Sequence, residues 1–175
     1  RFSPEKQRRE TWTEIVERNK AMHVSKFNLL YNNNIEFKNM LDDTYDLIHQ
    51  KRVLPSMRSM QFGGKAIEVS NNRVYNCAFM PIDSINAFSE AMFLLLGGSG
   101  VGYSVQYTNI NKLPSKQAMT DIIPVRHEIS DDIEGWADAV KAVVYSQLFG
   151  FPTEFSYSQI RPKGAILKTS GGRAP

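Results

Sequence analysis

The sequence predicts an α/β fold with a helical N-terminal region. Three observations carry this reading. Apolar residues recur at helical spacing twice within residues 1–52. From Val74 onward, short runs rich in β-formers alternate with helical stripes. The one dense glycine loop, Gly97-Gly98-Ser99-Gly100, lies between such a stripe and such a run. With 175 residues, the chain is long enough to bury a core. Its 42% apolar and 22% charged residues exclude a disordered chain.

Taken in order, Ser3-Pro4 offers a cap and a first-turn proline for a helix. Trp12, Ile15 and Val16 mark one face of that helix, which is expected to reach Met22. Lys6-Gln7-Arg8-Arg9, flanked by Glu5 and Glu10, reads as its solvated face. Tyr31 to Asn34 reads as a loop. Phe37, Met40, Leu41, Tyr45 and Ile48 give a second amphipathic helix ending near Lys51-Arg52. Val53 to Gly64 reads as a connection punctuated by Pro55 and Gly63-Gly64. Ala66 to Val69 is expected to pair with Val74 to Phe79 as a hairpin.

Asp83 or Ser84 then caps a helix carrying Ile85, Phe88, Met92 and Leu95. The glycine loop stops it. Val101, Tyr103, Val105 and Tyr107 alternate, as in a strand with one buried face. Thr108 to Lys116 is irregular, and Ile122 to Val125 forms a short strand. Ser130-Asp131-Asp132 caps a helix with Ile133, Trp136, Ala137, Val140, Val144 and Leu148 on one stripe, ended by Gly150 and Pro152. Phe155 to Ile160 is a further strand, and Lys163 to Pro175 is glycine-rich. No internal repeat is visible.

Composition narrows the function. A net charge of +3 without a basic run gives no argument for a nucleic-acid partner. No apolar run approaches the roughly 20 residues a membrane span needs. A single cysteine excludes a disulfide framework and points to a reducing, cytoplasmic setting. The three histidines show no ligand spacing, so no metal site is expected. The chain begins at Arg1 and stops inside Gly-Gly-Arg-Ala-Pro, which reads as one piece of a longer polypeptide.

Read from residues alone, Cys77 is a small buried apolar residue of a strand. The glycine loop follows a helix and precedes a strand. That is the wrong order for a Rossmann or P-loop phosphate site, and it makes a tight turn. Asp83-Ser84-Ile85 is a helix start. Ser56 to Ser59 belong to a proline-started loop.

Several motifs together resemble the N-terminal part of a ribonucleotide reductase catalytic chain. They are Leu54-Pro55-Ser56-Met57-Arg58-Ser59, Tyr75-Asn76-Cys77-Ala78-Phe79, Asp83-Ser84-Ile85, Gly98-Ser99-Gly100-Val101-Gly102-Tyr103-Ser104-Val105, Ile160-Arg161-Pro162-Lys163-Gly164-Ala165 and Ser170-Gly171-Gly172-Arg173-Ala174-Pro175. They run in order over roughly the last two-thirds of the chain. The adenosylcobalamin-dependent (class II) type is the most similar.

The resemblance implies a helical region over residues 1–52 and, over 53–175, the first part of a ten-stranded α/β barrel, incomplete in this chain. It implies that the full enzyme reduces ribonucleoside di- or triphosphates. Cys77 would be one of the two thiols that supply the electrons. A thioredoxin-type protein or similar thiol reductant would reopen their disulfide. Ser56, Met57, Arg58, Ser59, Asn76, Gly100, Val101 and Gly102 would line the ribonucleotide site. Asp83, Ser84, Ile85, Lys163 and Gly164 would belong to a site for a deoxynucleotide effector. The radical cysteine, made with adenosylcobalamin, would lie beyond residue 175. So would most of the cofactor's binding site, and the chain would be inactive without the remainder of the polypeptide. The alternative is a non-catalytic nucleotide-binding or structural α/β fragment.

Overall fold

Thr11, rather than Ser3, starts the first helix in the computed structural model, which describes residues 2–3, 6–166 and 173–174. Pro4, Ser170 to Gly172 and Pro175 lie outside the described residues. Phe2–Ser3 (β1) and Arg8–Arg9 (β2) pair antiparallel, so the expected charged helix face at Lys6 to Arg9 is a turn and a strand. Helix α1, Trp12–Lys26, begins with a capping box. The Thr11 hydroxyl accepts from the Glu14 amide at 3.3 Å, and the Glu14 carboxylate accepts from the Thr11 amide at 2.7 Å. Arg8 and Lys6 also bond that carboxylate and hold it well below the usual carboxylate range. This anchored box fixes the helix start eight residues past the serine, a spacing set by side-chain bonds.

The chain divides into two compact units: Arg1–Val74 with Ile166–Arg173, and Tyr75–Ala165 with Ala174–Pro175. In the first, α2 (Asn28–Asn33) replaces the expected loop at Tyr31 to Asn34, because its amides find carbonyl partners four residues back. Asn34 then caps α3 (Ile35–His49), its side chain accepting from the Phe37 amide at 2.9 Å. The core is Val16, Tyr45, Ile48 and Met60, with Trp12, Ile15 and Leu41 packed on it.

Two short helices follow where a loop and a strand are expected: α4 (Met57–Phe62) and α5 (Lys65–Val69). Ala66 and Ile67 are both buried. Consecutive buried residues fit a helix and not a strand with alternating faces, so the hairpin to Val74–Phe79 does not form. A 3₁₀ turn over Asn71–Val74 ends this unit. The unit reaches past residue 52 because Arg18 and Asn19 of α1 bond the backbone of α4.

The second unit is a mixed α/β structure built from two βαβ modules. In one, β3 (Cys77–Pro81) leads through α6 (Ile85–Leu96) to the parallel strand β4 (Gly100–Ser104). A short α7 (Tyr107–Ile110) intervenes. In the other, β5 (Val125–Glu128) leads through α8 (Ile133–Phe149) to the parallel strand β6 (Thr153–Ser156). The modules match in detail. Ile82 after β3 donates to Ser104 at 2.9 Å, and Ile129 after β5 donates to Ser156 at 3.0 Å. Both isoleucines are buried. Ser84 and Asp132 cap the two helices, which pack on each other.

Four strand limits differ from those expected. The 3₁₀ turn delays β3 to Cys77. β4 ends at Ser104, and Val105 and Tyr107 are 60% and 84% exposed, so the apolar alternation does not bury a face there. β5 starts at Val125, where pairing with β6 begins, and not at Ile122. β6 ends at Ser156, before Tyr157. Leu95, expected on the buried stripe of α6, is exposed.

Candidate functional site

The loop that follows α6 explains how this site is held. Gly98 has φ +96°, a left-handed conformation that favours glycine. The Ser99 amide donates to Leu94 at 3.0 Å, and the Gly98 amide to Leu95 at 2.9 Å. These two bonds form a Schellman ending, which spends the last free carbonyls of the helix. The chain then turns straight into β4. The buried Ser99 hydroxyl donates to the Tyr75 carbonyl at 2.9 Å, and the Gly100 amide donates to the Asn76 carbonyl at 2.8 Å. The glycine loop is thereby stitched to the two residues that precede Cys77.

Within the sheet, Cys77 pairs with Gly100 and Phe79 with Gly102. Cys77, Phe79 and Pro81 are exposed, while Ala78 and Met80 between them are half-buried. Cys77 is a free, exposed thiol, which corrects the reading of it as a buried apolar residue. It sits at the first position of its strand. The 3₁₀ turn before it and the bare strand beside it leave it uncovered. Gly100 and Gly102 share its exposed face, since paired residues of a ladder point the same way.

Neither glycine is demanded by the fold. Neither has positive φ. A Cβ added at Gly100 would find its nearest neighbour at 3.8 Å, and one at Gly102 at 3.4 Å, both ordinary contacts. Gly100 leaves open space beside the thiol, while the Phe79 side chain reaches toward Gly102.

The structure thus brings together Asn76, Cys77, Gly100, Val101 and Gly102. Ser56, Met57, Arg58 and Ser59 belong to the first unit. They form the start of α4 and not a loop. Ser56 is its cap without a side-chain bond, Met57 is exposed, and the Arg58 guanidinium lies 5.4 Å from the Phe62 ring centre. Asn19 bonds Ser59.

The residues expected at an effector site lie at the start of α6 and in a separate turn. Ser84 accepts from the Ala87 amide at 3.3 Å, Ile85 opens α6, and Asp83 pairs with Lys112 at 3.3 Å. Lys163 and Gly164 form a turn. Gly164 has φ +82° and donates to Ala174 at 3.0 Å. Arg161, just before it, bonds the Asp131 carboxylate at 2.6 Å and the Asp131 carbonyl at 2.9 Å, ahead of α8.

Sequence reasoning missed Ser99 and Asn19. A serine inside a glycine cluster is a signal for the first. Nothing local marks the second, whose partners lie 26 and 40 residues away. Among the described residues, no three His, Cys, Asp or Glu side chains converge as a metal site would require. No helix there is long and apolar enough to cross a membrane. No protein-family model, curated protein or solved structure matches the chain.

Proposed function

We propose that this chain is the N-terminal segment of a ribonucleotide reductase, most similar to the adenosylcobalamin-dependent type, with Cys77 as one of the two reducing thiols. The observation that carries the reading is the exposed Cys77 paired with Gly100 on a face where Gly100 and Gly102 present no side chain. A ribose can approach such a face to contact distance. In the reaction, two thiols give up two electrons and two hydrogens. The C2′–OH bond of the ribose breaks, hydrogen replaces the hydroxyl, water leaves, and the sulfurs join as a disulfide. A thioredoxin-type protein or another thiol reopens it.

The second thiol and the thiyl radical belong to the remainder of the polypeptide. That remainder also supplies the other strands of a ten-stranded barrel. Two-stranded parallel sheets bury little by themselves, and parallel sheets are normally covered on both faces. The exposed Tyr103, at 63% and on the face opposite Cys77, is a surface for such a cover. Adenosylcobalamin is assigned mainly to the remainder of the polypeptide, as the resemblance implies. Asp83, Ser84, Ile85, Lys163 and Gly164 are the effector residues in this reading, with Asp83 accepting from a ribose hydroxyl in place of Lys112.

Cys77→Ala in the full reductase polypeptide tests the proposal. Reduction supported by external thiols is expected to vanish while nucleotide binding stays intact. Retained turnover would remove Cys77 from the mechanism. Loss of neither function, because neither exists in the wild type, would favour a non-catalytic α/β module.

A further inference from the structure

Helix α8 lies against the β5–β6 sheet and leaves a groove on each flank. Trp136, Val140 and Val144 line one of them with Phe155, and that groove is almost wholly apolar. The other differs. Asp138, Lys141, Ala142 and Tyr145 recur at helical spacing on the opposite side of α8. Val125, His127 and Thr153 of the sheet, with Phe151, complete a groove of about 320 Å³, at the low end for small-molecule sites. All of it lies in the second unit.

The groove combines an apolar lining with polar groups that the fold does not use. Ala142 contributes only a methyl group, which keeps the space open. Tyr145 is held by ring contacts to Phe149 and Phe151, at 4.4 and 5.7 Å between centres, and stays 44% exposed. His127 stands edge-on to Phe155 at 5.6 Å, which fixes its ring and uses neither nitrogen. Asp138 and Lys141 are one turn apart, a spacing at which a carboxylate and an ammonium can pair. They do not pair. Among the described residues, the side chains of Asp138, Lys141 and His127 make no hydrogen bond or ion pair. An acceptor, a cation and a ring donor thus border one aromatic-walled groove with their bonding capacity unspent.

That set of groups matches the edge of a guanine base. Guanine offers N–H donors at N1 and N2 next to its O6 acceptor, with N7 as a further acceptor beyond. We infer that this groove binds a guanine nucleoside, with the base against Tyr145, Asp138 accepting from N1–H and N2–H, and Lys141 donating to O6. His127 supplies a donor for N7. Stacking on an aromatic ring tolerates any base, so the carboxylate makes the choice. Adenine turns the lone pair of N1 toward it, and hypoxanthine keeps N1–H but lacks the N2 amino group. None of these residues belongs to the substrate or effector sets proposed above, so the site is a further one and does not rest on the reductase reading.

Equilibrium dialysis of guanosine, inosine and adenosine against the full-length protein tests it. Guanosine is expected to bind most tightly, inosine about 3- to 10-fold more weakly for one lost hydrogen bond, and adenosine most weakly. Asp138→Asn and Lys141→Met are each expected to raise the guanosine Kd on the order of 10-fold, the effect of losing a bond to a charged group. Both residues are exposed, so Tm is expected to stay at the wild-type value. Ala142→Leu fills the groove and removes binding; should it fail to fold, the two exposed variants still decide. Adenosine bound as tightly as guanosine, or a guanosine Kd left unchanged by both exposed variants, would overturn the inference. A wild-type protein that takes up no guanosine would overturn it as well. Each of these outcomes leaves the Cys77→Ala experiment, and the reductase reading with it, to be decided separately.

Discussion

Cys77 and Gly100 stand side by side in a parallel ladder, and the Gly100 amide holds the carbonyl of the residue before Cys77 at 2.8 Å. The thiol is therefore placed by backbone bonds, while the Gly100 position beside it carries no side chain. Gly100→Ala separates these two roles. The backbone there accepts alanine, and a Cβ has room. Stability is expected to stay within about 1 kcal/mol of wild type, because alanine also narrows the unfolded ensemble. Thermal melting checks this. Ribonucleotide reduction by the full polypeptide is expected to fall, since the methyl group occupies the space a ribose would approach. Unchanged turnover in a well-folded variant would remove that space from the site.

The exposure of Cys77 makes a direct chemical prediction. The chain holds one cysteine, so titration with a chromogenic aromatic disulfide counts a single site. The native chain is expected to react with one equivalent, at a rate of the same order as the guanidinium-denatured chain. A native thiol that stays silent until the chain unfolds would contradict the exposed position on β3.

Alkaline pH probes the network around Tyr45. Burial raises its phenol from 10.0 to about 12. The unfolded chain then releases that proton first as pH rises, and release favours the unfolded state. The contribution is complete below about pH 10 and is lost between there and about pH 12. Tyr31, raised by its hydrogen bond to Asp42, acts in the same direction. Tyr45→Phe is expected to flatten this loss without abolishing it. At neutral pH it costs about 1–3 kcal/mol, because Oδ1 of Asn19 is left buried without its donor. Denaturant melts of both proteins at neutral and alkaline pH measure the two effects.

Local chemistry was legible in the sequence. The helix ending at Gly97-Gly98 is written in residue types, because few residues other than glycine adopt φ +96° comfortably. The Asp132 cap and the left-handed Gly150 that bound α8 were legible for the same reason. So was the order strand, helix, glycine loop, strand, since periodicity reports on neighbours a few residues apart. The first helix start was misread at Ser3, because Thr11 with Glu14 makes the stronger, reciprocal cap.

Residue types alone fix the punctuation of the chain: where helices stop, which runs can extend, and that one thiol lies within an extended run. Those features depend on backbone angles and on contacts within a turn or two. Packing settles the rest. It set the register that puts Gly100 beside Cys77 and drew Ala66 and Ile67 into a helix. It also left Val105 and Tyr107 exposed despite their alternation, and joined Asn19 to Ser59 across 40 residues. Register, burial and long-range hydrogen bonds are settled by which surfaces meet, and a linear pattern of residue types does not specify that.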